Sequence, residues 1–386
     1  IYVSGRRLAL EPDCDTTNGM SEESVSRRSF VAMAGAAAPA AAQGQSRSPV
    51  ALSEQHNQPR ADGGPLRIAT MYPFEPHEVQ TIQAAVPDVK VEILIAKNRD
   101  EFKTLLREAE AVYGDIRGAE FDYAPKLKWV QAGGAGMEGM DQAFRNHPSI
   151  CTNYARTFAP GISETAIGML LCLTRGITTH YMPQYYKRQM NPVGTPKSAD
   201  HTELVGRTMG IVGLGGIGSA IARRAYFGFD MKVIATDAKP LPKPEYVAEL
   251  HSPEYLMEMV PKVDVLVAAA PHTPQTEKMF NETVFHSMKK TAYFLAMSRG
   301  KLYDDMALVK ALREGWLAGA GLDVFPVEPP PSTHPIFDFH NVVMTAHTSG
   351  WSPDRQVRLI DVFAESVRGY VMGISLMKVV HKKAGY

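Results

Sequence analysis

The 386 residues, 45% of them apolar and 21% charged, suffice for two folded domains with cores of their own. Lys+Arg and Asp+Glu both number 41, so no global basic field draws the chain to nucleic acid, and there is no acidic tail. Cys14, Cys151 and Cys172 cannot make a disulfide framework, and without a C-x-x-C pattern or a Cys/His cluster no metal is expected.

Residues 1–64 do not read as part of a core. The first methionine is Met20, which makes residues 1–19 upstream sequence in this reading. Ser26-Arg27-Arg28-Ser29-Phe30 then precedes an Ala-rich segment, with Ala40 and Ala42 as a cleavage site before Gln43. That order resembles a twin-arginine export signal, which implies passage of a folded protein to the bacterial periplasm. The alternative is an Ala-rich tail with a chance arginine pair, and a cytoplasmic protein. The apolar part is about 13 residues, short of the roughly 20 that a membrane span needs, so no span is expected. Residues 43–64 are polar and read as a flexible leader.

From Leu66 strand and helix patterns alternate, which predicts an α/β fold with mainly parallel sheets. Leu66–Met71, Val89–Ile95 and Leu127–Gln131 read as strands, and segments near 76–85 and 99–108 as helices. Ser163–Thr174 reads as a long apolar helix with Ser163 as its N-cap, and Cys172 within it as a buried, inert thiol. Later strands are expected at Ile211–Val212, Met231–Thr236, Val263–Ala270, Thr291–Met297, Ala318–Leu322 and Val342–Ala346, with a helix over Ser352–Tyr370 closing the chain.

The most informative stretch is Gly213-x-Gly215-x-x-Gly218, entered by an apolar run and left by an Ala- and Arg-rich helical pattern. Gly213 permits a tight turn, Gly215 lets backbone approach a pyrophosphate, and Gly218 lets helix pack close to strand. Alone the pattern is weak. Here a second strand follows and ends in Asp237, 19 residues after Gly218, where an acid can bind ribose hydroxyls and repel a 2′-phosphate. NAD is the expected cofactor.

Ligands of open α/β sheets bind beyond the carboxyl ends of strands, and ionisable residues gather at those positions. Ser298-Arg299-Gly300, Asp323, Glu328 and His347 follow successive strands. A guanidinium can hold a carboxylate or carbonyl by paired hydrogen bonds, an imidazolium can protonate a forming alkoxide as hydride arrives, and a carboxylate keeps that histidine oriented and protonated. Singly each residue has a plain reading: a loop histidine, a surface ion pair, a solvated glutamate. Together, downstream of a dinucleotide fingerprint, they suit reduction of a carbonyl beside a carboxylate.

Leu204–Ser352 resembles the D-isomer-specific 2-hydroxyacid dehydrogenases, which include glyoxylate/hydroxypyruvate reductases and phosphoglycerate dehydrogenases. Matching blocks are Val205–Gly218, Pro271–Thr276, Ser298-Arg-Gly with Asp304 and Asp305, Ala320–Phe325, Val327-Glu-Pro and Thr345–Gly350. Upstream, Leu127–Glu138 resembles the family's substrate loop and Thr152-Asn153 its crossover, so the likeness spans roughly residues 66–375. It implies two Rossmann/flavodoxin-like domains with parallel sheets and an active-site cleft between them. Residues 65–158 would be the first part of the substrate domain, 159–348 the NAD-binding domain, and 349–386 a C-terminal helix returning to the substrate domain.

Carried onto these positions, the resemblance implies that Arg299 binds substrate, Glu328 supports His347, and His347 is the acid/base of an NAD-dependent interconversion of a 2-oxoacid and a D-2-hydroxyacid. Backbone N–H groups near Ala135 and Gly136 would take the substrate carboxylate. Gly216 and Ile217 would face the pyrophosphate, Asp237 the ribose, and Thr276 the phosphate-ribose region. Met297, Ser298, Asp323 and Gly350 would lie near the nicotinamide. The region from Ser163 with the insert Tyr181–Thr202 carries the dimer contact in that family, which implies a homodimer. Three positions depart: Gly216 stands where Arg or His is frequent, Glu138 where Asp is common, and Trp351 where a smaller residue is usual. His272 suits either a cofactor contact or an ordinary loop role. Two rival functions share the fold, a formate dehydrogenase-like enzyme and a non-catalytic NAD-sensing protein. The first generally carries Gln where Glu328 stands.

Overall fold

A computed structural model describes residues 59–60, 63–137, 139–190, 201–374 and 376–383. The twin-arginine segment, Cys14, Glu138 and residues 191–200 of the insert lie outside the described residues.

Two parallel sheets carry the fold. The first has five strands in the order β2-β1-β3-β4-β5: β1 (Leu66–Thr70), β2 (Val91–Ile95), β3 (Ala111–Tyr113), β4 (Trp129–Gln131) and β5 (Ile150–Thr152). Its connections include helices over Pro76–Ala84 and Arg99–Leu106. The second helix starts where the Asn98 side chain accepts from the N–H groups of Asp100 and Glu101, and it buries Phe102 and Leu106. β3 and β5 were not expected from the sequence. Each spans three residues, too few to show a period, and becomes a strand by pairing, β3 between β1 and β4, and β5 at the sheet edge against β4.

The second sheet has seven strands in the order β12-β11-β10-β9-β6-β7-β8. They are β6 (Thr208–Val212), β7 (Lys232–Thr236), β8 (Glu249–His251), β9 (Val265–Ala268), β10 (Tyr293–Ala296), β11 (Gly319–Leu322) and β12 (Val342–Met344). The chain order reverses at β6, which pairs with β7 on one side and β9 on the other. Such a reversal opens a crevice beyond the carboxyl ends of the strands. β9 and β10 are buried along their whole length, as strands covered on both faces should be.

The helix after the crossover runs Ala159–Thr174, one turn earlier than the sequence suggested. Pro160 occupies its first turn, where a missing N–H is harmless. Ser163 is therefore not the N-cap. It is buried inside the helix, and its hydroxyl donates to the Pro160 carbonyl at 2.9 Å. Ala166, Met169, Leu170 and Leu173 pack into the core of the second sheet. Cys172 points off that face and is half-buried, not buried as expected; Cys151, on β5, is the enclosed thiol.

The closing helix, Pro353–Met372, is capped by Ser352, whose hydroxyl accepts from the Arg355 N–H at 3.1 Å. Leu359, Ile360, Phe363 and Val367 enter one core with Leu66, Ile68 and Trp129 of the first sheet. Gln356 fixes the contact further by donating to Glu78 Oε1 at 2.8 Å and to the Tyr72 hydroxyl at 2.5 Å. Burial and the nearby Glu78 push that phenol up to about 12, so it stays neutral at ordinary pH.

Candidate active site

The glycine turn follows β6. Gly213 has φ +94°, and a Cβ there would lie 2.6 Å from the Ala270 backbone. A Cβ at Gly218 would lie 2.0 Å from the Gly213 carbonyl oxygen, so only glycine lets the helix Gly216–Phe229 start this close to its strand. At Gly215 nothing stands within 4 Å, which leaves room for a pyrophosphate against the helix N-terminus. Asp237, just past β7, accepts from the Leu214 N–H at 2.8 Å through one oxygen and from the Lys239 N–H at 2.8 Å through the other. The acid is thereby tied to the turn it is expected to serve. These residues fit a dinucleotide.

At Gly216 the fit has an unforeseen part. A Cβ there would lie 2.6 Å from Arg156 Cγ. Arg156 lies in the crossover before the Ala159–Thr174 helix, with φ +73°, and its side chain fills the space a larger residue at position 216 would need.

Three strand ends build the chemical centre. After β10 come Met297 and Ser298, whose hydroxyl donates to the Ala270 carbonyl at 2.8 Å, and then Arg299, whose Nη1 donates to the Ser298 carbonyl at 2.6 Å. Gly300 lets this loop touch the next one, since a Cβ there would lie 1.9 Å from the Phe325 carbonyl carbon. After β11 comes Asp323, only 2% exposed. After β12 comes His347, held at φ +56°, a conformation that favours glycine. Asp323 compels it. Its carboxylate accepts from the Thr345 hydroxyl at 2.6 Å, from the N–H groups of Thr348 and Ser349 at 3.1 Å each, and from the Ser349 hydroxyl. Its carbonyl accepts from the His347 N–H at 2.8 Å.

His347 Nδ1 lies 2.8 Å from Glu328 Oε2. The other Glu328 oxygen accepts from the Phe325 N–H at 2.9 Å, which orients the carboxylate. His347, but not Glu328, lines a cleft of about 330 Å³. Arg299, His347, Met297, Ser298, Asp323, Gly350, Ile217, Ala135 and Gly136 all line this cleft. The substrate-loop side is anchored by the crossover: Asn153 Nδ2 donates to the Ala135 carbonyl at 2.8 Å, and the Tyr154 N–H to the Gly134 carbonyl at 3.0 Å. Gly213, Gly215, Gly216, Gly218, Asp237 and Thr276 lie outside that wall. The Thr276 hydroxyl closes its own turn, donating to the Pro271 carbonyl and accepting from the Thr273 N–H, both at 2.8 Å. His272 Nε2 stands 3.5 Å from Glu277 Oε2.

Sequence reasoning missed Arg156, Phe158, Ile162 and Arg355, which also line the cleft. None sits at a strand end, and Arg355 reads in sequence as a solvated charge in the first turn of a helix. Among the described residues no cluster of three His, Cys, Asp or Glu could hold a metal ion, and no helix is long and apolar enough to cross a membrane.

The family described as D-isomer specific 2-hydroxyacid dehydrogenase, NAD binding domain, matches residues 167–349. A glyoxylate reductase of Korarchaeum cryptofilum is 33% identical over 298 residues, which cover 75% of this chain and 85% of that protein. The chain belongs to the D-isomer-specific 2-hydroxyacid dehydrogenases. It is an oxidoreductase of CH–OH groups dependent on a nicotinamide dinucleotide. Among solved structures, an NADPH-dependent glyoxylate/hydroxypyruvate reductase of Sinorhizobium meliloti, in complex with NADP and sulfate, superposes with a TM-score of 0.68 at 25% identity, over 83% of this chain and 99% of that one. A D-lactate dehydrogenase of Aquifex aeolicus, complexed with NAD and lactic acid, shares the fold, with a TM-score of 0.62 at 23% identity over 80% of this chain and 96% of that one. Both nucleotides thus occur among the neighbours.

Proposed function

We propose that this dehydrogenase interconverts a 2-oxoacid and the D-2-hydroxyacid, using NAD(H). The observation that carries this reading is the 2.8 Å contact of His347 Nδ1 with Glu328 Oε2 at a cleft that also holds Arg299. When bound, the dinucleotide supplies the hydride that adds to the substrate's carbonyl carbon. His347 gives the proton on Nε2 to the carbonyl oxygen as the C=O π pair becomes the alkoxide pair, and takes it back in the reverse direction. Glu328 accepts from Nδ1–H, which fixes the ring and stabilises the imidazolium. Arg299 donates paired hydrogen bonds to the carboxylate and carbonyl, and backbone N–H groups near Ala135 and Gly136 take the remaining carboxylate oxygen. Ile217 with the glycine turn faces the pyrophosphate, and Thr276 the phosphate-ribose region. Met297, Ser298, Asp323 and Gly350 border the nicotinamide end. Asp237 binds the ribose hydroxyls and repels a 2′-phosphate, which favours NADH.

The test is His347→Ala with glyoxylate and NADH. Turnover falls by about 10²–10⁴-fold, the usual worth of a positioned acid. NADH binding, followed by its fluorescence, shows that the variant is folded. Undiminished turnover removes the histidine from the mechanism. We also propose a two-fold dimer, on the exposed Tyr185, Tyr186 and Met190 that follow the long apolar helix. Light scattering that returns the mass of a single chain at micromolar concentration refutes it.

A further inference from the structure

We infer that the substrate of this cleft carries a second anionic group, a carboxylate or a phosphate, and that Arg355 binds it. The inference rests on the 2-oxoacid reading of the site and narrows its substrate class.

Charge in the cleft is the first ground. Arg156, Arg299 and Arg355 all line it. The carboxylates beside them are already engaged. Both Asp323 oxygens accept from Thr345, Thr348 and Ser349, and both Glu328 oxygens are taken by Phe325 N–H and His347. Arg156 stands over the start of the glycine-turn helix, and Arg299 at the acid/base. A substrate with one carboxylate is served by Arg299 and the Ala135–Gly136 backbone, and leaves Arg355 over.

The way Arg355 is held is the second ground. Its guanidinium carbon lies 5.3 Å from the Trp351 ring centre and 6.0 Å from that of Phe158. Both rings lie within cation–π distance of the guanidinium, whose N–H donors lie along its edges. Among the described residues Arg355 makes no ion pair. An edge-on pair of donors is the shape that a carboxylate or phosphate accepts. Position sharpens the point. Arg355 sits in the first turn of the Pro353–Met372 helix, where the helix dipole opposes a cation, so a bound anion relieves an unfavourable charge placement. Trp351, 67% exposed, forms a large apolar wall beside it.

The experiment compares kcat/KM for one-anion acids (glyoxylate, pyruvate) with that for two-anion acids. Oxaloacetate and 2-oxoglutarate test a carboxylate, and 3-phosphonooxypyruvate a phosphate. The parent enzyme prefers one of the two-anion classes. Arg355→Met keeps the packed stem but removes the fork, and lowers the ratio of two-anion to one-anion kcat/KM by roughly 10- to 100-fold, the worth of a charge-assisted hydrogen-bond pair. Arg355→Lys restores part of that ratio. A merely structural Arg355 lowers both classes alike and leaves the ratio unmoved, which overturns the proposal, as does a parent that prefers one-anion acids. A second readout needs no turnover: quenching of tryptophan fluorescence by malonate, succinate or phosphonoacetate against acetate, in parent and Arg355→Met. If no oxoacid is reduced, the reading of the reaction fails, yet dianion binding that depends on Arg355 still supports this inference. Dianion binding equal in both proteins overturns it.

Discussion

Asp323→Asn tests whether a buried acid holds His347, the proposed acid/base, in place. Asp323 is 2% exposed, and its two oxygens accept from the Thr345 hydroxyl, the Thr348 and Ser349 N–H groups and the Ser349 hydroxyl. Those bonds offset the positive φ of His347, a conformation that disfavours a non-glycine residue by roughly 1–2 kcal/mol. A hydrogen bond to a charged acceptor contributes about 1.5–3 kcal/mol and a neutral one about 0.5–1.5, so each contact weakens by about 1 kcal/mol on losing the charge. The asparagine amide also puts a donor where an acceptor stood, although the Ser349 hydroxyl can rotate to meet it. Removing a buried charge returns part of the loss. A net weakening of the loop by about 2 kcal/mol remains, comparable with the strain it opposed, and 1.4 kcal/mol is a factor of ten in a population. We expect kcat for 2-oxoacid reduction to fall by roughly 10- to 30-fold. Single-turnover kinetics at saturating substrate isolate the chemical step from binding, and a melting curve shows that the fold persists. A kcat within twofold of the parent refutes the argument that Asp323 positions His347.

Three further expectations follow from the site and the sequence. The parent enzyme uses NADH better than NADPH, and Asp237→Asn, which keeps a hydrogen bond to the glycine turn while removing the charge, moves the ratio of kcat/KM toward NADPH by about tenfold or more; equal use of both cofactors by the parent means that the acid is not opposite the ribose. Burial pushes the Cys151 thiol up to about 12, so at pH 8 it is neutral and sealed, and a thiol reagent on native protein labels the half-buried Cys172 first; labelled Cys151 peptide below pH 10, with activity retained, contradicts this. Replacing Arg27 and Arg28 with Lys keeps the charge but removes both guanidinium groups, and abolishes export if the leader is a twin-arginine signal; parent and variant both staying in the cytoplasm with uncleaved leaders would place the enzyme there.

The sequence by itself determined what depends on short stretches of chain. The glycine turn, the acid after β7, and the Arg, Asp, Glu and His at successive strand ends were legible, because a parallel strand and the residue beyond it are local, and the fold sends every such end to one edge. Long strands and helices with a clear apolar run were legible for the same reason. β3, β5 and β8 were not; each is three residues long and, unlike the equally short β4 and β12, was not part of a longer stretch that read as a strand. Ser163 misled because it lies where the apolar run thickens, while Pro160 starts the helix. What only the tertiary structure decided is which distant residues meet. Arg156 fills the space left by Gly216, Asp323 grips the loop of His347, and Arg355 meets Phe158. Each of these contacts joins segments separated by a turn, a strand or a whole domain. No pattern within one segment encodes such a contact; it appears only when both sheets have packed and the closing helix has returned to the first.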